Sequence, residues 1–281
     1  MKVYTITPSW LIKSKKDFQD GIKNIEKLGF RIVNRNFPAK LPSPIEKAKQ
    51  LHKAFLDKNI DIILAQRGGY SSMRILPFVN YKLIKNNPKL IAGFSDISTL
   101  LNTIYEKTGL ITIHSPMLIN FSKITKFTVK SFMNAINGFP EKNLFRGAPV
   151  KVYKNSDSAV TGTLKGGNLI TLTALLGTKW ETKTDGCILF LEDVDEKLHE
   201  IDRCLTHWIL KGKFNKLKGL ILGDFRGVNN KDVYKIVEEQ MKIKFPVVHC
   251  PWIGHTKNKI SLPVGATVKL DTRSKKLEII N

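Results

Sequence analysis

Cysteine is scarce in this sequence. The chain of 281 residues contains only Cys187, Cys204 and Cys250, which form neither a CxxC pair nor a spacing typical of metal ligands. An odd number of widely separated cysteines argues against a disulfide-stapled scaffold. We therefore expect reduced thiols, as in the cytoplasm, and no metal centre.

Long hydrophobic runs are also missing. No segment approaches the roughly 20 consecutive apolar residues of a membrane helix. Residues 1–8 have the pattern of a short strand and a turn, and they lack the apolar core of a signal peptide. The phosphate-binding patterns GxxxxGKS/T and GxGxxG do not occur. These absences predict a cytoplasmic protein with no membrane partner and no cofactor.

Acidic residues are heavily outnumbered. The chain has 24 acidic and 46 basic residues, which gives a formal net charge of +22. Such a charge is typical of proteins that bind nucleic acids or anionic surfaces. It also arises when lysines fill solvated faces. Since the excess is mostly lysine, is spread along the chain and accompanies no nucleic-acid motif, we favour the second interpretation and expect no specific nucleic-acid partner.

The chain does contain a regular alternation of strand and helix patterns. Residues 62–65 form a continuous apolar strand, and residues 44–57 form a helix whose start is marked by Ser43, Pro44 and Glu46. Further strands are predicted to end near residues 6, 33, 92 and 113. This order predicts an α/β fold with an N-terminal parallel sheet flanked by helices.

The pattern weakens between residues 123 and 154, where glycine and proline pairs interrupt it. We place a domain boundary there, which gives domains of residues 1–140 and 141–281. The second domain again alternates strands, near residues 161–164, 187–191, 219–223 and 246–249, with helices. Its last 20 or so residues resemble β-strands joined by turns.

Ser95 lies at a sharp corner between the strand 90–92 and a helix that ends before Gly109. The N–H groups at a helix start can stabilise an oxyanion, as in a nucleophile elbow. The usual second glycine is replaced by Ile97, however, and Ser95 or Asp96 could simply cap the helix. Active sites of parallel sheets form at the carboxyl ends of strands, so Ser95 should share a rim with Gly68-Gly69 and His114-Ser115.

Candidate partners for Ser95 come from the second half of the chain. Glu192 and Asp193 follow an apolar strand and could orient an imidazole or cap the next helix. His255 lies in a loop and could be a base or an ordinary surface residue. The order Ser95, Glu192, His255 matches that of α/β-hydrolases.

Three further groups could bind a ligand. Gly68-Gly69 permits close approach of the backbone to a ligand, or forms a plain turn. Arg74 could bind a carboxylate bidentately or pair with an acidic neighbour. Asn168, after Gly166-Gly167, has the same two interpretations as the first glycine pair and is a good N-cap residue.

Taken together, the motifs resemble those of the LD-carboxypeptidases (muramoyltetrapeptide carboxypeptidases), a family that includes the microcin C immunity peptidases. The matches run through nearly the whole chain in the family's order. Ser71, Ser115 and His199 depart from the family pattern and bear on specificity. The matching segments are RGGYSSMRIL (67–76), GFSDIS (93–98), HSPM (114–117), GGNL (166–169) with GT (177–178), LEDVDEKLHEIDR (191–203) and GH (254–255).

The resemblance implies a serine peptidase in which Ser95 is the nucleophile, His255 the base and Glu192 its orienting acid. It implies an oxyanion hole formed by the N–H groups of Gly69 and Asp96. Arg74, or N–H groups around Gly68 and Asn168, would then hold the substrate's free carboxylate. The resemblance therefore leads us to expect three sets of site residues: Ser95, Glu192 and His255 as catalytic, Gly69 and Asp96 as oxyanion hole, and Gly68, Arg74 and Asn168 as substrate-binding.

The family also implies an N-terminal domain like the class I glutamine amidotransferases, a C-terminal swivelling β/α domain, and a homodimer. Its members remove the terminal D-alanine from cytoplasmic murein tetrapeptides during cell-wall recycling. Two alternatives stay open: a microcin C immunity-type peptidase that cleaves a peptide-nucleotide, and a basic nucleic-acid-binding protein with a degenerate site. The chain is short for the family, so we expect a trimmed substrate-covering loop around residues 123–153.

Overall fold

Two β-sheets flanked by helices form the framework of the protein. The computed structural model describes residues 1–38 and 40–280. In this part of the chain the strands are β1 (Lys2–Ile6), β2 (Arg31–Ile32), β3 (Ile62–Ala65), β4 (Leu90–Gly93), β5 (Thr112–His114), β6 (Lys151–Lys154), β7 (Val160–Asn168), β8 (Cys187–Val194), β9 (Gly219–Arg226), β10 (Val247–His249), β11 (Leu262–Val264), β12 (Thr267–Asp271) and β13 (Lys276–Ile279).

The helices lie mostly between successive strands. Short 3₁₀ turns cover Ser72–Phe78, Ser95–Ile97 and Leu118–Lys123. Among the described residues, none of the helices combines the length and apolar character that a membrane span requires. The α-helices are α1 (Lys15–Glu26), α2 (Pro44–Leu56), α3 (Tyr81–Asn86), α4 (Ser98–Thr108), α5 (Lys126–Ile136), α6 (Leu169–Thr173), α7 (Leu198–Leu210) and α8 (Asn230–Gln240).

The first sheet has six strands in the order β11-β5-β4-β3-β1-β2. The five N-terminal strands are parallel to their neighbours, as the strand and helix alternation predicts. Every residue of β3 is buried, because helices cover both faces of the sheet. The sixth strand, β11, comes from the C-terminal half and pairs antiparallel with β5.

The second sheet has seven strands in the order β13-β12-β7-β8-β9-β10-β6. Its centre, from β7 to β10, is parallel, and antiparallel strands close both edges. The protein is therefore an α/β protein with two domains, each built on its own sheet. We keep residue 140 as the proposed boundary, between α5 and β6, although β11 returns to the first sheet.

The two domains are joined through α4 and β7. The hydroxyl of Ser98, in the first turn of α4, accepts a hydrogen bond from the backbone N–H of Asn168 at 3.1 Å. One turn later, the Asn102 side chain donates to the carbonyl of Gly166 at 2.8 Å and accepts from its N–H at 3.2 Å. A buried hydrophobic cluster also contains residues of both sheets, Ile113 and Phe190 among them. These contacts fix one sheet relative to the other.

Two segments differ from the sequence-based expectations. Residues 126–136 form α5, where the pattern predicts only weak structure; this helix buries Thr128, Phe132, Ala135 and Ile136. Gly166-Gly167-Asn168 ends β7 rather than starting a helix, and the short α6 follows. Thr128 interrupts the apolar periodicity of α5, and the buried Gly166 and Gly167 give the end of β7 no apolar side chains that would mark it as a strand.

Helix α2 shows a smaller difference. Its capping box is present as predicted: the hydroxyl of Ser43 accepts from the N–H of Glu46, and the Glu46 carboxylate accepts from the N–H of Ser43. The apolar spacing of Ile45, Ala48, Leu51 and Phe55 predicts that they share the buried face, but Ile45 is half-exposed. Lys47 is buried instead, because its ammonium group has partners inside the protein.

Replacement of Ile63 by alanine tests the packing of the first sheet. Ile63 is 0% exposed in β3, whereas Ile45 is 50% exposed. We expect Ile63→Ala to lower the free energy of unfolding by about 2–5 kcal/mol, because it leaves a cavity in the core. The control, Ile45→Ala, should change it by no more than about 0.5 kcal/mol. Urea unfolding followed by circular dichroism measures both, and equal losses would contradict this packing.

Candidate active site

Ser95 adopts a strained backbone conformation at the corner between β4 and α4. Its φ is 64°, in the left-handed region that costs a residue other than glycine of order 1–3 kcal/mol. The preceding strand ends at Gly93, where a Cβ atom would lie 2.9 Å from the Ile97 side chain. The tight turn therefore needs glycine at residue 93, and it carries Ser95 past the end of β4. Such strain concentrates at functional sites.

The side chains of Ser95, His255 and Glu192 meet at this corner. The Ser95 hydroxyl lies 3.0 Å from Nε2 of His255, and Nδ1 of His255 lies 2.7 Å from Oε2 of Glu192. Glu192 is fully buried, whereas the His255 side chain is 18% exposed. Because a carboxylate only accepts hydrogen bonds, Nδ1 carries the proton and Nε2 is left to accept from the serine. His255 thus bridges the other two residues, which is the geometry of a serine–histidine–acid triad.

Glycine residues clear the space for this bridge. Gly254, next to His255, has a φ of 112°, and a Cβ atom there would lie 2.5 Å from Oε2 of Glu192. A Cβ at Gly223 of β9 would lie 2.9 Å from the Cβ of Glu192. The loop that carries His255 can therefore lie against the buried carboxylate only because these two positions have no side chain.

The Gly68-Gly69 loop lies directly against Ser95. A Cβ at Gly68 would lie 2.9 Å from the Ser95 hydroxyl, which allows the loop backbone to approach the serine closely. Within the described residues, the backbone N–H groups of Gly69 and Asp96 donate to no other group. These are the two N–H groups that the resemblance assigns to an oxyanion hole; Asp96 follows Ser95 in sequence, and Gly69 follows Gly68, which lies against the serine.

The side chain of Asp96 holds this loop in place. Its carboxylate accepts hydrogen bonds from the Ser9 hydroxyl at 2.5 Å and from the N–H of Ser72 at 2.8 Å. Beneath them, the ammonium group of Lys47 donates to the Ser9 carbonyl at 2.6 Å and to the Ser71 hydroxyl at 2.7 Å. Burial lowers the pKa of Lys47 from its ordinary value.

Lys47 is not among the expected site residues, although the sequence contains a signal for it. Lys47 precedes Ala48 on the face of α2 that also carries Leu51, so a charge at residue 47 needs a buried partner. Ser71, a departure from the family pattern, supplies one of its two acceptors. The departure therefore alters the support of the Gly68-Gly69 loop.

Asn168 and Asp193 form a second polar pair next to the triad. The Asn168 amide donates to Asp193 at 2.8 Å, and its carbonyl oxygen caps α6 by accepting from the N–H of Thr171 at 3.1 Å. Burial, reinforced by the charge of Glu192, raises the pKa of Asp193 to about 6. The backbone N–H of Asn168 is engaged by Ser98, so only one amide N–H of Asn168 stays available to a ligand.

The other candidates lie in different settings. Arg74 is exposed on the 3₁₀ turn 72–78 and forms no ion pair with a described residue. His114, which we expect on the rim, is buried between the rings of Phe94 and Phe190, and burial lowers its pKa to about 4. Ser115 is buried beside it.

In residues 1–38 and 40–280, no group of three or more potential ligands is placed to hold a metal ion.

A triad at the junction of two α/β domains is the arrangement of a hydrolase, and comparisons with known proteins agree. Models of the LD-carboxypeptidase N-terminal and C-terminal domains match residues 3–115 and 161–270, respectively. A probable murein peptide carboxypeptidase of Bacillus subtilis is 32% identical to this chain, over 82% of the chain and 75% of the relative. The chain belongs to the LD-carboxypeptidase family.

The family also contains the microcin relatives. The microcin C7 self-immunity protein MccF of Escherichia coli is 30% identical, over 95% of this chain and 89% of its own length. A structure of MccF in complex with glutamyl sulfamoyl guanosine has a TM-score of 0.88 at 26% identity and covers 100% of this chain and 96% of that one. A muramoyltetrapeptide carboxypeptidase from Oxalobacter formigenes has a TM-score of 0.84 at 26% identity, covering 99% and 98%.

Replacement of Gly68 by alanine tests the close approach of the loop to Ser95. The added methyl group would press on the serine hydroxyl, so we expect a strong fall in the rate at which a fluorophosphonate labels Ser95. The control is Gly219→Ala, where the new Cβ would lie 3.2 Å from the flexible Leu270 side chain and outside the site. That variant should label at the wild-type rate. Unchanged labelling of Gly68→Ala would show that the loop does not lie against the serine.

Proposed function

We propose that this protein is a serine-type LD-carboxypeptidase that removes the terminal D-alanine from murein tetrapeptides. Membership of the family supports the carboxypeptidase activity. The observation that carries the serine mechanism is the continuous array Ser95–His255–Glu192, with bonds of 3.0 and 2.7 Å on a strained corner. The murein substrate is supported by the name of the Bacillus subtilis relative.

In the first half of the reaction, the Ser95 hydroxyl attacks the carbonyl carbon of the scissile bond. His255 takes the serine proton on Nε2, and the buried carboxylate of Glu192 stabilises the imidazolium that forms. The negative charge that develops on the carbonyl oxygen is held by the N–H groups of Gly69 and Asp96. Each such donor is typically worth about 3–4 kcal/mol of transition-state stabilisation.

Acylation is complete when the tetrahedral intermediate collapses and the bond to the leaving D-alanine breaks. His255 gives its proton to the leaving amine, and an acyl-enzyme remains on Ser95. Water then attacks the ester, again with His255 as general base, which releases the tripeptide and restores the serine. The same three residues therefore serve both half-reactions.

The substrate carries a free carboxylate next to the scissile bond, and the chain must hold it. Arg74 is the exposed cation that we propose for this role, with N–H groups around Gly68 and the remaining amide N–H of Asn168 as further donors. The net charge of +22 favours the approach of such an anionic peptide. A role in cell-wall recycling would place the protein in the cytoplasm, and the homodimer of the family stays a prediction.

The reaction is tested by incubating the enzyme with murein tetrapeptide. We expect a tripeptide and free D-alanine, detected by mass spectrometry and a D-amino-acid oxidase assay. The same tetrapeptide ending in L-alanine should stay intact, because the leaving-group side must fit inverted stereochemistry. An intact D-terminal tetrapeptide together with cleavage of pentapeptide or the L-terminal peptide would refute the substrate assignment.

The family membership of MccF supports one alternative function, cleavage of an aminoacyl sulfamoyl nucleotide. The MccF structure with glutamyl sulfamoyl guanosine has the same fold over the whole of this chain. Such a substrate needs an aromatic platform for its nucleobase. The candidate that the sequence offers for this platform is Trp180, which is partly buried against the core of the first domain. We therefore favour murein peptides, and glutamyl sulfamoyl guanosine is the competing substrate to include in the same assay.

Substitution of the triad residues tests the mechanism. Ser95→Ala, His255→Ala and Glu192→Ala should each lower kcat severely, by at least about 10,000-fold for the serine and the histidine. The triple variant should be no worse than the worst single variant, because the three residues act as a unit. Ser115→Ala is the matched control, since this serine also follows a strand of the first sheet but is buried outside the array, and it should keep most of the activity. A loss as deep as that of Ser95→Ala would reverse the assignment.

A further inference from the structure

The loop that carries His255 is bridged by a lysine. The ammonium group of Lys259 donates hydrogen bonds to the carbonyls of Gly254, at 3.2 Å, and of Thr256. These two residues stand immediately before and after His255. One side chain therefore ties together the backbone on both sides of the histidine, within five residues of sequence.

The same ammonium group also contacts the serine side of the site. It lies 5.2 Å from the centre of the Phe94 ring, a cation–π distance. Phe94 directly precedes Ser95, and its ring centre lies 4.8 Å from that of His255. Lys259 thus contacts both the loop that holds the histidine and the residue next to the serine.

We propose that Lys259 is a positioning residue for His255, whose bridge across the Gly254 and Thr256 carbonyls holds the imidazole at the Ser95 hydroxyl. The proposal rests on the proposed function of the triad. A bridge of this kind matters because displacement of a catalytic group by about 1 Å can cost on the order of 100-fold in rate. Gly254 makes the loop intrinsically flexible, and the lysine compensates for that freedom.

The charge of Lys259 is held at a cost in stability. Burial lowers its pKa from 10.5 to about 8, although the charges of Glu192 on β8 and Asp224 on β9 favour the protonated form; Arg226 on β9 opposes it. Since the unfolded chain keeps its proton up to pH 10.5 or so, this group destabilises the fold at neutral pH, and that penalty is relieved as the pH rises through 8. A contribution to the stability of the fold therefore does not explain why residue 259 is a lysine.

The test compares Lys259→Met with Lys257→Met, an exposed lysine in the same loop. The readout is the rate of fluorophosphonate labelling at Ser95, which needs no knowledge of the substrate, together with the thermal midpoint. We expect Lys259→Met to label about 10- to 100-fold more slowly, with a midpoint no lower than that of the wild type. Lys257→Met should match the wild type in both.

The pH profile gives an independent readout. An uncharged amine makes weaker hydrogen bonds to the two carbonyls and loses its attraction to the Phe94 ring. Wild-type labelling should therefore fall above pH 8 or so towards the rate of Lys259→Met, whose own rate should stay flat there. His255 and Asp224 lie near Lys259, but the wild type and Lys259→Met both retain them, so their titration affects the two proteins alike.

Three outcomes would overturn the proposal: labelling of Lys259→Met within twofold of the wild type, a parallel fall in labelling and thermal midpoint, or the same alkaline profile in both proteins. The first would show that the bridge is dispensable, and the second that the lysine only supports folding. If Ser95 labels but no D-alanine is released from tetrapeptide, the proposed substrate fails while the role of Lys259 is still tested.

Discussion

The geometry of the site depends on one constraint, the complete burial of the Glu192 carboxylate. An ionised carboxylate in a protein interior needs a donor, and His255 supplies one at 2.7 Å. Its other oxygen has no hydrogen-bond partner among the described residues. The histidine therefore keeps its proton on Nδ1, and the free nitrogen faces the serine. Gly223 and Gly254 serve this contact as well, since a side chain at either residue would push the Glu192 carboxylate and the His255 imidazole apart.

The array spans two sheets, so its distances depend on how these sheets are joined. Ser95 extends from the first sheet and Glu192 belongs to the second. The junction combines the hydrophobic cluster shared by both sheets with polar contacts: next to the contacts of α4 with β7, Lys165 forms a largely buried ion pair with Glu106 at 2.6 Å. Breaking a buried pair by removing one partner is strongly destabilising. Because hydrogen bonds and ion pairs depend on distance and direction, these polar contacts oppose a small shift of one sheet against the other more strongly than hydrophobic contacts alone would.

Residue patterns predicted the fold class and made Ser95, Glu192 and His255 candidates, and the family resemblance then gave these three residues their expected roles. Continuous apolar strands such as β3 and the capping box of α2 are local signals, and the strand-end position of Ser95 is another. Two contacts were not predicted because they depend on the folded chain. The bridge of Lys259 to the loop around His255 is local but depends on side-chain direction, and the acceptor that allows Lys47 to be buried is on Ser9, 38 residues away.

Helix α5 was missed because a polar residue, Thr128, occupies a buried position in its first turn. The pairing of β11 with β5 was missed because a strand of three residues has too little alternation to reveal its partner. The setting of His114 was missed as well, since a histidine after a strand predicts a rim position, whereas its neighbours here are the rings of Phe94 and Phe190.

The return of β11 to the first sheet has a consequence for synthesis on the ribosome. Until residues 262–264 emerge, β5 is an edge strand whose outward backbone N–H and C=O groups are unpaired. Most of the second sheet must be translated during that interval, and an open edge invites pairing with other chains. The nascent first domain therefore keeps an open sheet edge until a strand almost 150 residues downstream has been translated.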